Sequence, residues 1–157
     1  MDLCKREPGG GTDLIEAAAA APTPMLLIDL ALVENQVRAL RAALPEARIL
    51  YAVKANPQPE VLSRLVELGC GFDIASPGEL ERCLSAGANP GSISYGNTIK
   101  KETHIAAAYQ AGIGLYAVDS GMELAKLGRA APGARIFCRL AVSGSGAEWP
   151  LPILRSP

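Results

Sequence analysis

Two hydrophobic rhythms alternate along most of this chain. Short runs rich in β-formers begin near Ile49, Gly71, Ser92, Gly114 and Arg135, each 21 or 22 residues after the last. They include Leu50-Tyr51-Ala52-Val53, Phe72-Asp73-Ile74-Ala75, Ser92-Ile93-Ser94-Tyr95, Leu115-Tyr116-Ala117-Val118 and Ile136-Phe137-Cys138-Arg139-Leu140. Between them apolar residues fall at helical spacing, as in Val61, Leu62, Leu65, Val66 and Leu68. Strand-length runs alternating with helical patterns predict βα units on a parallel sheet. Upstream, Met25-Leu26-Leu27-Ile28 reads as a short strand ended by Asp29. A helix carrying Leu30, Val33, Val37, Leu40 and Leu44 follows it, closed by Pro45.

The punctuation supports that division. Asn56-Pro57 offers an N-cap followed by a proline at the first helical position, and Gly69 follows the helix. Ser76-Pro77-Gly78-Glu79 and Ser120-Gly121-Met122-Glu123 read as capping boxes, while Gly87 and Gly112 sit just past helix ends. Residues 1–24 lack such order: Gly9-Gly10-Gly11 and an alanine run lead to Pro22-Thr23-Pro24, which predicts a flexible segment.

Parallel βα units either close into a barrel or spread into a doubly wound sheet. The uniform step favours a barrel. A complete eight-stranded barrel typically needs about 250 residues. Five units in 157 residues therefore predict a small open sheet or part of a longer barrel.

Composition narrows the function classes. With 49% hydrophobic and 20% charged residues the chain is ordinary globular material, and a net charge of −1 offers no attractive field for nucleic acid or an anionic membrane. No run reaches the ~18 apolar residues of a membrane span. Lys5 and Arg6 are followed by Glu7, Asp13 and Glu16, which leave no apolar core for an export signal. A cytoplasmic protein is expected. Cys4, Cys70, Cys83 and Cys138 form no C-x-x-C pair and His104 is the lone histidine, so no metal site is expected and the thiols should be free and mostly buried. His104 itself reads as a solvated helix residue. Neither a G-x-G-x-x-G nor a P-loop motif occurs.

In parallel α/β folds, chemistry gathers at the carboxyl ends of strands. There the sequence places Lys54 and Asn56, then Asp73 and Ser76, Asn97, Asp119 and Arg139. Lys54 either reaches solvent from the strand end or, partly desolvated, becomes a nucleophile able to form a Schiff base. Asp73 and Arg139 form a structural ion pair, or they hold a bound anion or cofactor ring. Glu79 is explained by its capping box, so any role in a site is additional. Asp119 ends its strand facing a helix N-terminus.

Several motifs carry a family resemblance. Tyr51-Ala52-Val53-Lys54-Ala55-Asn56 resembles the cofactor-lysine motif of the fold-type III pyridoxal-phosphate-dependent decarboxylases, the ornithine, diaminopimelate and arginine decarboxylases, which share an alanine-racemase-like barrel. Phe72-Asp73-Ile74-Ala75-Ser76 with Gly78-Glu79-Leu80-Glu81, and Arg135 to Leu140, resemble later strands of that family. Ser94-Tyr95-Gly96-Asn97-Thr98-Ile99-Lys100 and Val118-Asp119-Ser120 are most similar to its ornithine branch.

The resemblance implies an α/β fold, the amino-terminal part, about five of eight strands, of a pyridoxal-phosphate-binding (β/α)8 TIM barrel over residues 25–151. It implies pyridoxal 5'-phosphate as cofactor, Lys54 as the catalytic Schiff-base lysine, and Asp73, Glu79 and Arg139 as further cofactor-binding residues. The implied reaction takes L-ornithine to putrescine and carbon dioxide in polyamine biosynthesis, with diaminopimelate, lysine or arginine as alternative substrates. The implied partners are an amino-acid substrate and, in the full-length family, a second copy of the chain in a homodimer.

After Trp149-Pro150-Leu151 the sequence departs from the family and reads Pro152-Ile153-Leu154-Arg155-Ser156-Pro157, a divergent tail. The family's three later strands and its β-rich second domain, to which a Met25–Ile28 strand would belong, have no counterpart. The expectation is an amino-terminal fragment, inactive alone. The alternative is a non-catalytic interaction piece that keeps the lysine motif.

Overall fold

A computed structural model describes residue 16 and residues 18–140. Most of the segment expected to be flexible, residues 1–24, and all of the tail at 152–157 lie outside the described residues. Among the described residues five parallel strands form one sheet in chain order: β1 (Leu50–Ala52), β2 (Gly71–Ile74), β3 (Ile93–Tyr95), β4 (Leu115–Val118) and β5 (Arg135–Cys138). Helix α1 (Leu30–Ala43) precedes β1, and α2 (Pro59–Glu67), α3 (Pro77–Ser85), α4 (Glu102–Gln110) and α5 (Gly121–Ala130) follow β1 to β4 in turn. Each strand begins within one residue of the position the hydrophobic rhythm marks.

The regular step has a local cause. After α2, α3 and α4 the chain reverses through the same turn, with Gly69, Gly87 and Gly112 at φ of 70°, 89° and 96°. That left-handed conformation costs a glycine little. The residue after each glycine, Cys70, Ala88 or Ile113, donates its N–H back to the carbonyl of Leu65, Cys83 or Ala108, and all three are buried. Each helix end thus satisfies its carbonyls and tucks an apolar residue into the core in one movement.

Alternation along the strands sorts side chains onto two faces. The register pairs Phe72 with Ile93 and Ile74 with Tyr95, and Tyr95 with Tyr116. These large residues face the helices, where Leu62, Leu65, Cys83, Ile105 and Leu127 complete the core. Tyr95 and Tyr116 lie nearly parallel with centroids 6.1 Å apart. The opposite face carries smaller or polar residues, with Ala52 beside Asp73 and Asp73 beside Ser94.

Three details depart from the sequence expectations. Met25–Ile28 forms no strand: no described backbone pairs with it, and a strand without a ladder partner leaves its polar groups to water. Asp29 is instead the N-cap of α1, its Oδ1 accepting the N–H groups of Ala31 at 2.8 Å and Leu32 at 3.4 Å. Helix α2 starts at Pro59, two residues later than the Asn56-Pro57 pair suggests, because Asn56 uses its side chain to accept the Gln58 N–H at 3.0 Å in a turn. Cys70 and Cys83 are buried free thiols, but Cys138 is exposed on β5, which is an edge strand among the described residues and has all four residues exposed. His104 lies half-buried on α4. Among the described residues no helix is long and apolar enough to cross a membrane.

Candidate active site

The carboxyl ends of β1, β2, β3 and β5 converge on a cleft of about 100 Å³ lined by Lys54, Asp73, Ala75, Gly96, Asn97 and Arg139. Each residue arrives by its element. Lys54 sits in a single helical turn, Val53–Ala55, that follows β1 directly, with Val53 fully buried beneath it. Tyr51 donates its hydroxyl to the Asn56 carbonyl at 3.2 Å and so ties off that turn. Lys54 is exposed at the mouth of the cleft.

Asp73 projects from the polar face of β2. Its register neighbour Ser94 donates Oγ–H to Oδ1 at 2.5 Å. Gly96 lies directly beneath the carboxylate, where a Cβ would collide with Oδ1 and Oδ2. The carboxylate is therefore seated by a hydroxyl and by the absence of a side chain. None of the ion pairs among the described residues joins it to Arg139. The structural pair considered for these two residues does not form, because Arg139 follows β5 as an exposed residue and Asp73 is already engaged by Ser94. The Arg139 backbone N–H donates to the Val118 carbonyl at 2.7 Å, extending the β4–β5 ladder to the cleft.

Glu79 does not line the cleft. Ser76 Oγ accepts the Glu79 N–H at 3.3 Å as a capping box requires, but Glu79 Oε2 accepts from Ala75 N at 2.7 Å. It thereby fixes the backbone of a residue that does line the cleft. Buried nearby, Tyr95 has its phenol pushed upward by desolvation and by the Glu79 charge. Asp119, Asn56 and Ser76 stay out of the cleft: Asp119 is exposed, and the other two serve turns and caps.

Lys100 and Glu123 were not legible as a pair. The Lys100 side chain is fully buried at the start of α4, and Glu123, the glutamate of the second capping box, is turned inward to meet it. Burial drives the lysine pKa down, and the Glu123 carboxylate opposes that. The signal available in the sequence was positional, since the two residues lie about one βα repeat apart.

Residues 30–151 match the family described as "Pyridoxal-dependent decarboxylase, pyridoxal binding domain". The chain belongs to this family. Its sheet is the amino-terminal part of the pyridoxal-binding barrel, and pyridoxal phosphate is the cofactor of these decarboxylases. The lysine/ornithine decarboxylase of Selenomonas ruminantium is 38% identical over 130 residues, covering 83% of this chain and 33% of the relative. The ornithine decarboxylase of Schizosaccharomyces pombe is 38% identical over 138 residues, covering 85% and 32%. The solved lysine decarboxylase of S. ruminantium superposes with a TM-score of 0.77 at 36% identity, covering 88% of this chain and 36% of that one. The chain spans about a third of the length of the curated relatives it matches. The cleft's donors suit the family's cofactor: an exposed primary amine, a guanidinium and a carboxylate share one mouth.

Proposed function

We propose that this chain supplies the lysine-bearing part of a pyridoxal-phosphate-dependent decarboxylase of the ornithine type, taking L-ornithine to putrescine and carbon dioxide. The observation that carries this reading is the convergence of Lys54, Asp73 and Arg139, from three separate strand ends, on one cleft. Pyridoxal phosphate, when bound, supplies an electron sink for the pair left on the substrate α-carbon as carbon dioxide departs. Lys54 offers the primary amine that anchors the cofactor. Arg139 presents a fixed positive charge at the same mouth, suited to an anionic group. Asp73, seated by Ser94 and Gly96, holds a carboxylate in a defined place beside them, and Glu79 acts on the cleft through the Ala75 backbone.

The same reading includes a homodimer and a cytoplasmic setting, the latter supported by the free thiols of Cys70, Cys83 and Cys138 among the described residues. The purified chain, given pyridoxal phosphate, borohydride and peptide mapping by mass spectrometry, should carry the label stoichiometrically at Lys54. Lys54→Arg should abolish that label. Labelling scattered over the surface lysines would sink the assignment. Carbon dioxide release from ornithine, lysine, arginine and diaminopimelate, assayed in parallel, ranks the substrates. Specific labelling without release from any of them is the outcome expected of an amino-terminal fragment inactive alone. Absent labelling favours the second reading, a non-catalytic interaction piece that keeps the lysine motif, which the exposure of Lys54 in a small open cleft supports.

A further inference from the structure

Lys100 is the most deeply buried charge among the described residues, with none of its side chain exposed. An ammonium in such a place is costly unless each N–H finds an acceptor. Here Nζ donates to the carbonyls of Ala117 at 2.7 Å and Asn97 at 2.9 Å, with Thr98 at 3.4 Å and Glu123 Oε2 at 3.5 Å as further acceptors. The Tyr95 ring centroid lies 5.9 Å away. Its backbone is held as well: Lys100 N–H donates to Glu123 Oε2 at 3.2 Å, and Lys126 Nζ donates to the Lys100 carbonyl.

These contacts share a direction. Two carbonyls belong to the turn between β3 and α4, one belongs to β4, and the carboxylate belongs to the first turn of α5. That β3–α4 turn contains Gly96 and Asn97, two of the six residues lining the cleft. Core filling alone does not account for a lysine here, because a buried ion pair is commonly replaced as a whole by apolar residues with little loss of stability, whereas the ammonium kept here also serves three backbone carbonyls. Glu123 would keep a partner in Lys126, with which it forms a second ion pair.

We propose that Lys100 is a positioning residue for the cleft, its ammonium clamping the turn at 96–99 to β4 and α5 so that Gly96 and Asn97 stand at fixed places in the cleft wall. Asn97 then presents a rigid backbone, with its side-chain amide folded back onto the Ile99 carbonyl at 2.8 Å. Gly96 stays against the Asp73 carboxylate. The clamp rests on the structure alone, and only its consequence for cofactor capture rests on the function proposed above.

The test compares the full chain with its Lys100→Met and Lys100→Met/Glu123→Gln variants. Amide hydrogen exchange should rise at least about tenfold over residues 97–100 in both variants, while α2 and β2 hold. Borohydride trapping at Lys54 should then need a several-fold higher pyridoxal phosphate concentration for half-saturation, since a displaced wall weakens capture without removing the amine. Exchange that rises uniformly along the chain would make Lys100 a stability residue and overturn the proposal, as would a loosened turn with unchanged half-saturation. Failure of the unmodified chain to label Lys54 would count against the cofactor reading, and the exchange pattern would still decide the clamp. Should both variants misfold, exchange in the unmodified chain decides: the Lys100 amide must be protected as well as those of β4, and rapid exchange there refutes the clamp.

Discussion

Replacing Gly96 by alanine tests the seat of Asp73 directly. The three atoms nearest to a Cβ built on Gly96 all belong to the Asp73 carboxylate, at separations no real Cβ tolerates. Gly96 is not among the glycines with positive φ, so its backbone accepts alanine and the conflict is purely with Asp73. The carboxylate must swing away and release Ser94, whose Oγ–H now reaches it at 2.5 Å. A hydrogen bond to a charged acceptor contributes roughly 1.5–3 kcal/mol, and overpacking of this kind costs roughly 1–3 kcal/mol. Because the displaced group can reach solvent, about 2 kcal/mol is the expected loss. In an Asp73→Ala background the same change should be neutral, or gain about 0.4–1 kcal/mol from reduced freedom of the unfolded chain. Urea denaturation of the four members of this double-mutant cycle gives the coupling, expected near 2–3 kcal/mol, well above the roughly 0.5 kcal/mol scatter of independent sites. A Gly96→Ala cost that persists undiminished without Asp73 would refute the reasoning.

Two further outcomes follow from burial and exposure. Burial pushes the Cys83 thiol from 9.0 up to about 11, with the Glu79 charge adding to it. The folded state holds this proton longer than the unfolded one, so its contribution is complete below about pH 9 and is lost as pH rises toward 11. That loss amounts to at most roughly 2–3 kcal/mol, and raised values for Tyr51, Tyr95 and Tyr116 act with the same sign while Lys100 opposes them. Denaturation midpoints from about pH 8 to 10.5 should fall less in Cys83→Ala than in the unmodified chain, and parallel curves would contradict this. At the two edges of the sheet, β5 is exposed along its whole length and an apolar groove of about 540 Å³ runs between α1 and β1, lined by Val33, Val37, Leu40 and Tyr51. Concentration-dependent association in sedimentation is expected, and a monomer with a cooperative melt at all concentrations would count against it.

The alternation of strand and helix, the capping residues and the turn glycines are local chemistry, so the sequence by itself determined the βα repeat. All five strands begin within a residue of the expected positions, because each pattern is written in the apolar period and the return turns after α2, α3 and α4 are each written in one glycine. The lysine at the first strand end and the aspartate at the second were legible for the same reason, since strand ends are where this architecture gathers chemistry. The Met25–Ile28 strand failed because a strand exists only with a ladder partner, which no local pattern supplies.

Tertiary structure alone decided the rest. Ser94 became the partner of Asp73 through parallel register, and Gly96 became its floor through the approach of β3 to β2. Glu79 turned to Ala75, and Arg139 stayed apart from Asp73. Lys100 and Glu123 met across one repeat in a buried contact that their charges alone do not announce. Such pairings depend on distance in space and on which groups lose water, and both are set only when the sheet and its helices pack.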